Sequence, residues 1–146
     1  MAKSTVIDTL IELTSQKSEE AAKALSMALQ QQKQSAEKLS LLNQYKSEYV
    51  ERLNVQMREG LDVQAMVNFQ NFLNDLDLAV QQQQRAHHAD NHTVKTMQRN
   101  WQELERKKLS YGTLADRVNA SLMAKANKQE QKLMDEMASR SHRMAR

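Results

Sequence analysis

His88 and His92 are the side chains with the most obvious chemical reach in this chain, and they lie four residues apart. On a helix that spacing puts two imidazoles on one face, where they could grip one metal ion. A lasting site needs more ligands, and the flanking turns offer only Gln84 and Lys95. No cysteine is present to add a thiolate. The pair therefore reads as an exposed helix face, and no metal ligand is assigned. Nucleophilic or phosphate chemistry fares no better. There is no Gly-rich phosphate loop and no Ser-His-Asp arrangement on a supporting strand. The carboxylates are scattered along helix-forming sequence, with no dry concave pocket to shift their protonation. The expectation is a protein that is not an enzyme and takes no cofactor, with no catalytic and no cofactor-binding residues.

The elements that would carry these side chains are plain from the periodicity. From Met66 to Leu122 one stripe recurs at alternating steps of three and four: Met66, Phe69, Leu73, Leu76, Val80, Gln83, His87, Asp90, Val94, Met97, Trp101, Leu104, Lys108, Tyr111, Ala115, Val118 and Leu122. Thirteen of these seventeen positions are apolar, which makes the stripe a seam rather than a chance alignment. A mean step of 3.5 residues holds its direction only when the helix supercoils on a partner. Composition agrees. The 146 residues include no proline and only two glycines, Gly60 and Gly112, with 4% aromatics. A compact four-helix bundle would need two further loops that the sequence does not signal.

One break is signalled, at Arg58-Glu59-Gly60-Leu61-Asp62. Glycine suits the left-handed position after a helix end, and aspartate suits the cap that opens the next helix. The expectation is a single domain, residues 1–146, all-α: a long antiparallel two-helix coiled-coil hairpin. Its helices would run over about 4–58 and 62–138 with a turn at 59–61, and 139–146 would fray. Helix 1 repeats the rhythm through Ala21, Leu25, Ala28, Gln32, Ser35, Leu39, Leu42, Lys46, Tyr49 and Leu53. Upstream, Val6, Leu10 and Leu13 form one candidate stripe and Ile7 and Ile11 another; the register there stays open. Folding about Gly60 makes neighbours of residues whose numbers sum to about 120. Gln32 and Ser35 then meet His87 and Gln83, so the polar gap in one seam faces the polar gap in the other. Helix 1 runs out near residue 116, leaving 118–138 to project alone with Val118, Leu122, Met123, Leu133, Met134 and Met137. A lone helix with an apolar stripe is marginal in water, so this segment is expected to await a partner. Gly112 could mark a bend there or only a weak point.

Charge is uneven. Residues 99–146 hold eleven Lys/Arg against six Asp/Glu, and residues 1–98 hold ten against twelve. The basic residues interleave with acidic ones, which argues against nucleic acid and for a solvated face. No apolar run reaches the ~20 residues of a membrane span, and the first residues lack a signal-peptide core. A cytoplasmic protein without direct membrane insertion is expected. Near the loop, Leu42, Tyr45 and Tyr49 form one spaced set and Phe72, Leu76, Ala79 and Gln83 another. The sum rule lays the two sets side by side. Tyr45, Phe72 and Ala79 exceed what a two-stranded seam needs. They form either a wider core stripe or an exposed docking patch.

The stretch Leu41-Leu42-Asn43-Gln44-Tyr45-Lys46-Ser47-Glu48-Tyr49 leads into Leu53-Asn54 and Met57-Arg58-Glu59-Gly60. Asn68-Phe69-Gln70-Asn71-Phe72-Leu73 and Leu76-Asp77-Leu78-Ala79 follow. This pattern resembles the FliJ family of the bacterial flagellar type III export apparatus; residues 41–79 are its specific part. The resemblance implies a monomeric hairpin similar to the central stalk of rotary ATPases, at the cytoplasmic face of the inner membrane at the flagellar base. It implies three partners: the hexameric ring of the flagellar export ATPase, the cytoplasmic domain of the export gate, and export chaperones that are recycled. Carried onto this chain, Leu42, Tyr45, Tyr49, Phe72, Leu76 and Ala79, with Lys38 and Gln83, would face the gate. Lys38 departs from the polar amide expected at that place. The ATPase-binding end would draw on Ile7, Leu10, Ile11 and Leu13 with Leu122, Leu133, Met134 and Met137. The rival readings are a general chaperone or adaptor for export substrates, and a self-assembling structural coiled coil.

Overall fold

A computed structural model describes residues 2–145, with side chains described from Thr5 onward. Among these residues there are two helices and no strand: α1, Ala2–Glu59, and α2, Val63–Met144. The all-α helical hairpin expected from the seam is what forms. Good helix formers and the lack of proline let 58 and 82 residues stay helical without interruption. Helix α2 passes Gly112 and continues through the stretch expected to fray, ending at Met144.

The turn uses the chemistry of its residues. Gly60 adopts φ 98°, the left-handed region where a Cβ would be strained. The Asp62 carboxylate accepts a hydrogen bond from the Ala65 amide at 2.7 Å, and the Asp62 carbonyl accepts from the Met66 amide at 3.1 Å. The carboxylate thereby satisfies one of the first-turn amides that have no intrahelical partner, and the carbonyl accepts the first bond of the helix itself.

The contacts group into two compact units. The first, Glu20–Trp101, holds the turn. Its buried residues are Ala21, Ser35 and Leu53 from α1 and Leu76, Val80 and Val94 from α2, all seam positions. Side-chain partners across it are Gln32 with Asn91, Ser35 with His87, Lys46 with Asp77 and Tyr49 with Phe69. These pairs run antiparallel, their numbers summing close to the value folding about Gly60 requires.

The second unit joins residues before Glu20 to those after Trp101. Here the open register resolves. Ile7, Thr14 and Ser18 are buried and Ile11 half-buried, while Val6, Leu10 and Leu13 are exposed. The seam thus steps 7, 11, 14, 18 and carries two hydroxyls at positions where a coiled-coil seam is usually apolar. Ser18 donates to the Glu105 carboxylate, which satisfies its buried hydroxyl. On α2, Leu104, Lys108, Tyr111, Ala115 and Val118 are half-buried, and every described residue from 119 to 145 is exposed. No helix among the described residues is long and apolar enough to cross a membrane.

Candidate functional site

In the unit that holds the turn, α1 and α2 bring aromatic rings together on one face. Tyr45 meets Phe72 edge-on, with ring centroids 6.3 Å apart and planes at 74°. Tyr49 lies 4.5 Å from Phe72 and 5.1 Å from Phe69, centroid to centroid. The Tyr45–Phe72 pair has the preferred edge-to-face geometry, which adds about 0.5–1.5 kcal/mol to simple burial, whereas the two Tyr49 contacts are tilted, at 40° to Phe69 and 52° to Phe72. The cluster has a wet side. Tyr45 is 49% exposed and Phe72 37% exposed, so two large rings held in place by neighbours still face solvent.

The other residues singled out from the sequence surround this cluster with differing exposure. Leu76 is buried, whereas Leu42, Tyr49, Ala79 and Gln83 are half-buried and Lys38 is exposed. One open groove is lined by Lys38, Leu41, Leu42, Tyr45 and Gln83, predominantly apolar in its walls. Leu41, 64% exposed, belongs to this surface although sequence reasoning does not select it. It lies off the seam, and its only signal is an apolar residue next to Leu42 where a coiled coil needs none. Phe69, a seam residue by periodicity, also stacks on Tyr49. At the turn side, the Lys46 ammonium pairs with the Asp77 carboxylate, so a charged seam residue meets its counterion rather than apolar neighbours.

On the far side of the groove lies a polar layer. The Ser35 hydroxyl donates to the Gln32 carbonyl at 3.0 Å, and its oxygen lies 2.9 Å from His87 Nδ1. Because that hydroxyl hydrogen is already committed, Nδ1–H of His87 is the donor to Ser35 Oγ. Gln83 Nε2 donates to the Ser35 carbonyl at 3.0 Å, and Gln32 Nε2 donates to Asn91 Oδ1 at 2.6 Å. No buried side-chain polar atom lacks a partner among the described residues. His88 and His92 are both exposed, and among the described residues no three metal-ligating side chains gather.

The second set of candidates divides. Ile7 is buried and Ile11 half-buried, so both are spent on the seam, while Leu10 and Leu13 are exposed. Leu122, Leu133, Met134 and Met137 are exposed at 42%, 61%, 65% and 69%. The arrangement offers two apolar surfaces of different build: an aromatic patch with a groove, and a helix whose stripe is left uncovered by the described residues.

Comparison with known proteins adds a finding. The model of the family described as "FliJ: Flagellar FliJ protein" matches residues 4–146. The chain is similar to the flagellar FliJ protein of Salmonella typhi, with 29% identity over 141 residues that cover 97% of this chain and 96% of that one. It is also similar to the flagellar FliJ protein of Escherichia coli K12, at 28% identity with the same coverage.

Proposed function

The chain belongs to the FliJ family of flagellar proteins, and from that membership we propose that it is a non-enzymatic, stalk-like component of the flagellar protein export apparatus. It binds the export gate through the surface around residues 42–79 and the export ATPase ring through its terminal residues. By holding both it couples the state of the ATPase to the gate, and it assists the recycling of export chaperones. It works in the cytoplasm, against the inner membrane at the flagellar base.

The observation that carries this reading is the aromatic patch. Interface hot spots are rich in Tyr and other large side chains held rigid before binding, and Tyr45 and Phe72 are half-open rings fixed by mutual contact. A two-helix seam gains little from rings placed there, which favours docking over core packing. The uncovered stripe on α2 supports a second binding surface made of different residues.

The test is the pair Tyr45→Ala and Phe72→Ala. Truncating two hot-spot rings should weaken gate binding by at least about tenfold, 1.4 kcal/mol or more. Motility should fall, and stimulation of the ATPase by the purified variant should persist. Measured by gate-domain pull-down, swarming and ATP hydrolysis, a variant that loses only chaperone binding would replace the stalk with an adaptor.

A further inference from the structure

The last stretch of α2 carries a seam of its own. Ala126, Glu130, Leu133, Met137, Arg140 and Met144 recur at steps of four, three, four, three and four. All six are exposed. This seam is out of step with the one that meets α1, because 118, 122, 126 and 130 follow at three successive fours. The offset of one residue from the in-phase positions 125 and 129 rotates the stripe away from the preceding register. The tail is therefore not an unused extension of the surface that α1 covers.

Two of the six positions are charged, and they decide what fits. Glu130 and Arg140 take part in no ion pair among the described residues. They are ten residues apart, about 15 Å along the axis, too far to meet each other within one helix; Arg140 has Glu136 one turn away without pairing to it. The seam is symmetric about position 135. Laid antiparallel on a second copy, Ala126 meets Met144, Leu133 meets Met137 and Glu130 meets Arg140. Each layer joins small to large, apolar to apolar or anion to cation, and the two-fold symmetry repeats it. A parallel pairing in register would set Glu130 on Glu130 and Arg140 on Arg140. A lipid surface fits less well: Glu130 would enter the apolar side, and Asp135 and Glu136 would offset the basic residues around them.

We propose that the exposed seam of residues 126–144 is a self-recognition site, on which two copies of this chain pair tail to tail, antiparallel and isologous. The lone helix gains cover for a stripe that is marginal in water, and the Glu130–Arg140 layers fix register and direction. The proposal stands on the tail residues alone, independent of the export reading; a ring that captures the tail would compete with the second copy. It also departs from the single-chain state that the family resemblance implies.

Sedimentation equilibrium of the full chain tests it. The mass should rise from one copy toward two between about 1 and 200 µM, as expected for a short, weak coiled coil. Glu130→Arg alone and Arg140→Glu alone should each weaken association at least about tenfold, since each places like charges across the seam. Mixed in equal amounts, the two variants should pair with each other. The cation introduced at position 130 of one then faces the anion introduced at position 140 of the other, and the unchanged Arg140 and Glu130 meet in the second layer. A wild-type chain that stays single at 200 µM overturns the proposal. So does a single reversal that associates normally, or a mixture that fails to recover. Binding to phosphatidylglycerol-containing vesicles, lost on Leu133→Glu and without self-association, would overturn it in favour of a lipid surface.

Discussion

Ser35 joins the two helices through more polar contacts than any apolar neighbour needs. Its hydroxyl serves Gln32 and His87, and its carbonyl accepts from Gln83. The layer is satisfied, so its cost is lost apolar burial rather than orphaned groups. Removing one member and removing the cross-helix set should therefore differ in sign. Ser35→Ala strands the His87 N–H and should destabilise by about 1 kcal/mol. His87→Leu with Gln83→Leu leaves Ser35 bonded to Gln32 and buries two apolar side chains, which should raise stability by about 1–2 kcal/mol. Urea unfolding of the two variants measures both. The sequence reveals this layer because two polar gaps coincide when the chain is folded about Gly60. It does not reveal Ser18 with Glu105 or Lys46 with Asp77, since a lone hydroxyl or lysine in a seam names no partner. In the candidate site, Tyr45 and Phe72 are legible as apolar residues in excess of the seam. Leu41 is not, because one apolar residue on a helix exterior is unremarkable until a groove forms beside it.

The two glycines of the elements are opposites. Gly60 sits at φ 98° with open space where a Cβ would go, so Gly60→Ala meets backbone strain and no clash. It should cost about 1–2 kcal/mol. Gly112 lies inside α2, also with open space around a built Cβ. There Gly112→Ala should stabilise by about 1 kcal/mol through helix propensity alone. Thermal denaturation followed by circular dichroism separates the two, and a loss of stability at position 112 would reveal a need for bending that the helix does not display. Sequence exposes α2 almost whole, because large apolar side chains mark its seam from Met66 onward. The start of α1 stays ambiguous for a physical reason: Thr14 and Ser18 are buried hydroxyls, while Val6, Leu10 and Leu13 present larger apolar side chains to solvent. Hydrophobicity alone points to the wrong side there, and only the step from Ile7 through 11, 14 and 18 to Ala21 settles it. The far boundary of α2 lies beyond its expected place, since a polar, proline-free tail carries no stop signal before Met144.

For the whole molecule, stability rests on a thin seam: no large side chain among the described residues is fully buried. Every described residue from 119 to 145 lies outside that seam. Deleting residues 119–146 should consequently leave the thermal midpoint within about 2 °C at dilute concentration, well below the shift a 1 kcal/mol change would give, while removing helical signal in proportion. A large drop would show that the tail supports the hairpin. Residues 119–146 hold six Lys/Arg against three Asp/Glu, so their removal takes the formal net charge from +3 to zero, and the shortened chain should also bind cation-exchange resin less tightly. One further consequence belongs to the tight turn at Gly60. Tyr49 and Phe69 meet across about twenty residues of chain, but Ser18 and Glu105 are separated by 87. Bringing the latter together first would sacrifice more chain freedom, and each pairing made near Gly60 shortens the span the next must close. Folding should accordingly run as a zipper started at the bend, with the pairs most distant along the chain formed last and the first to come undone.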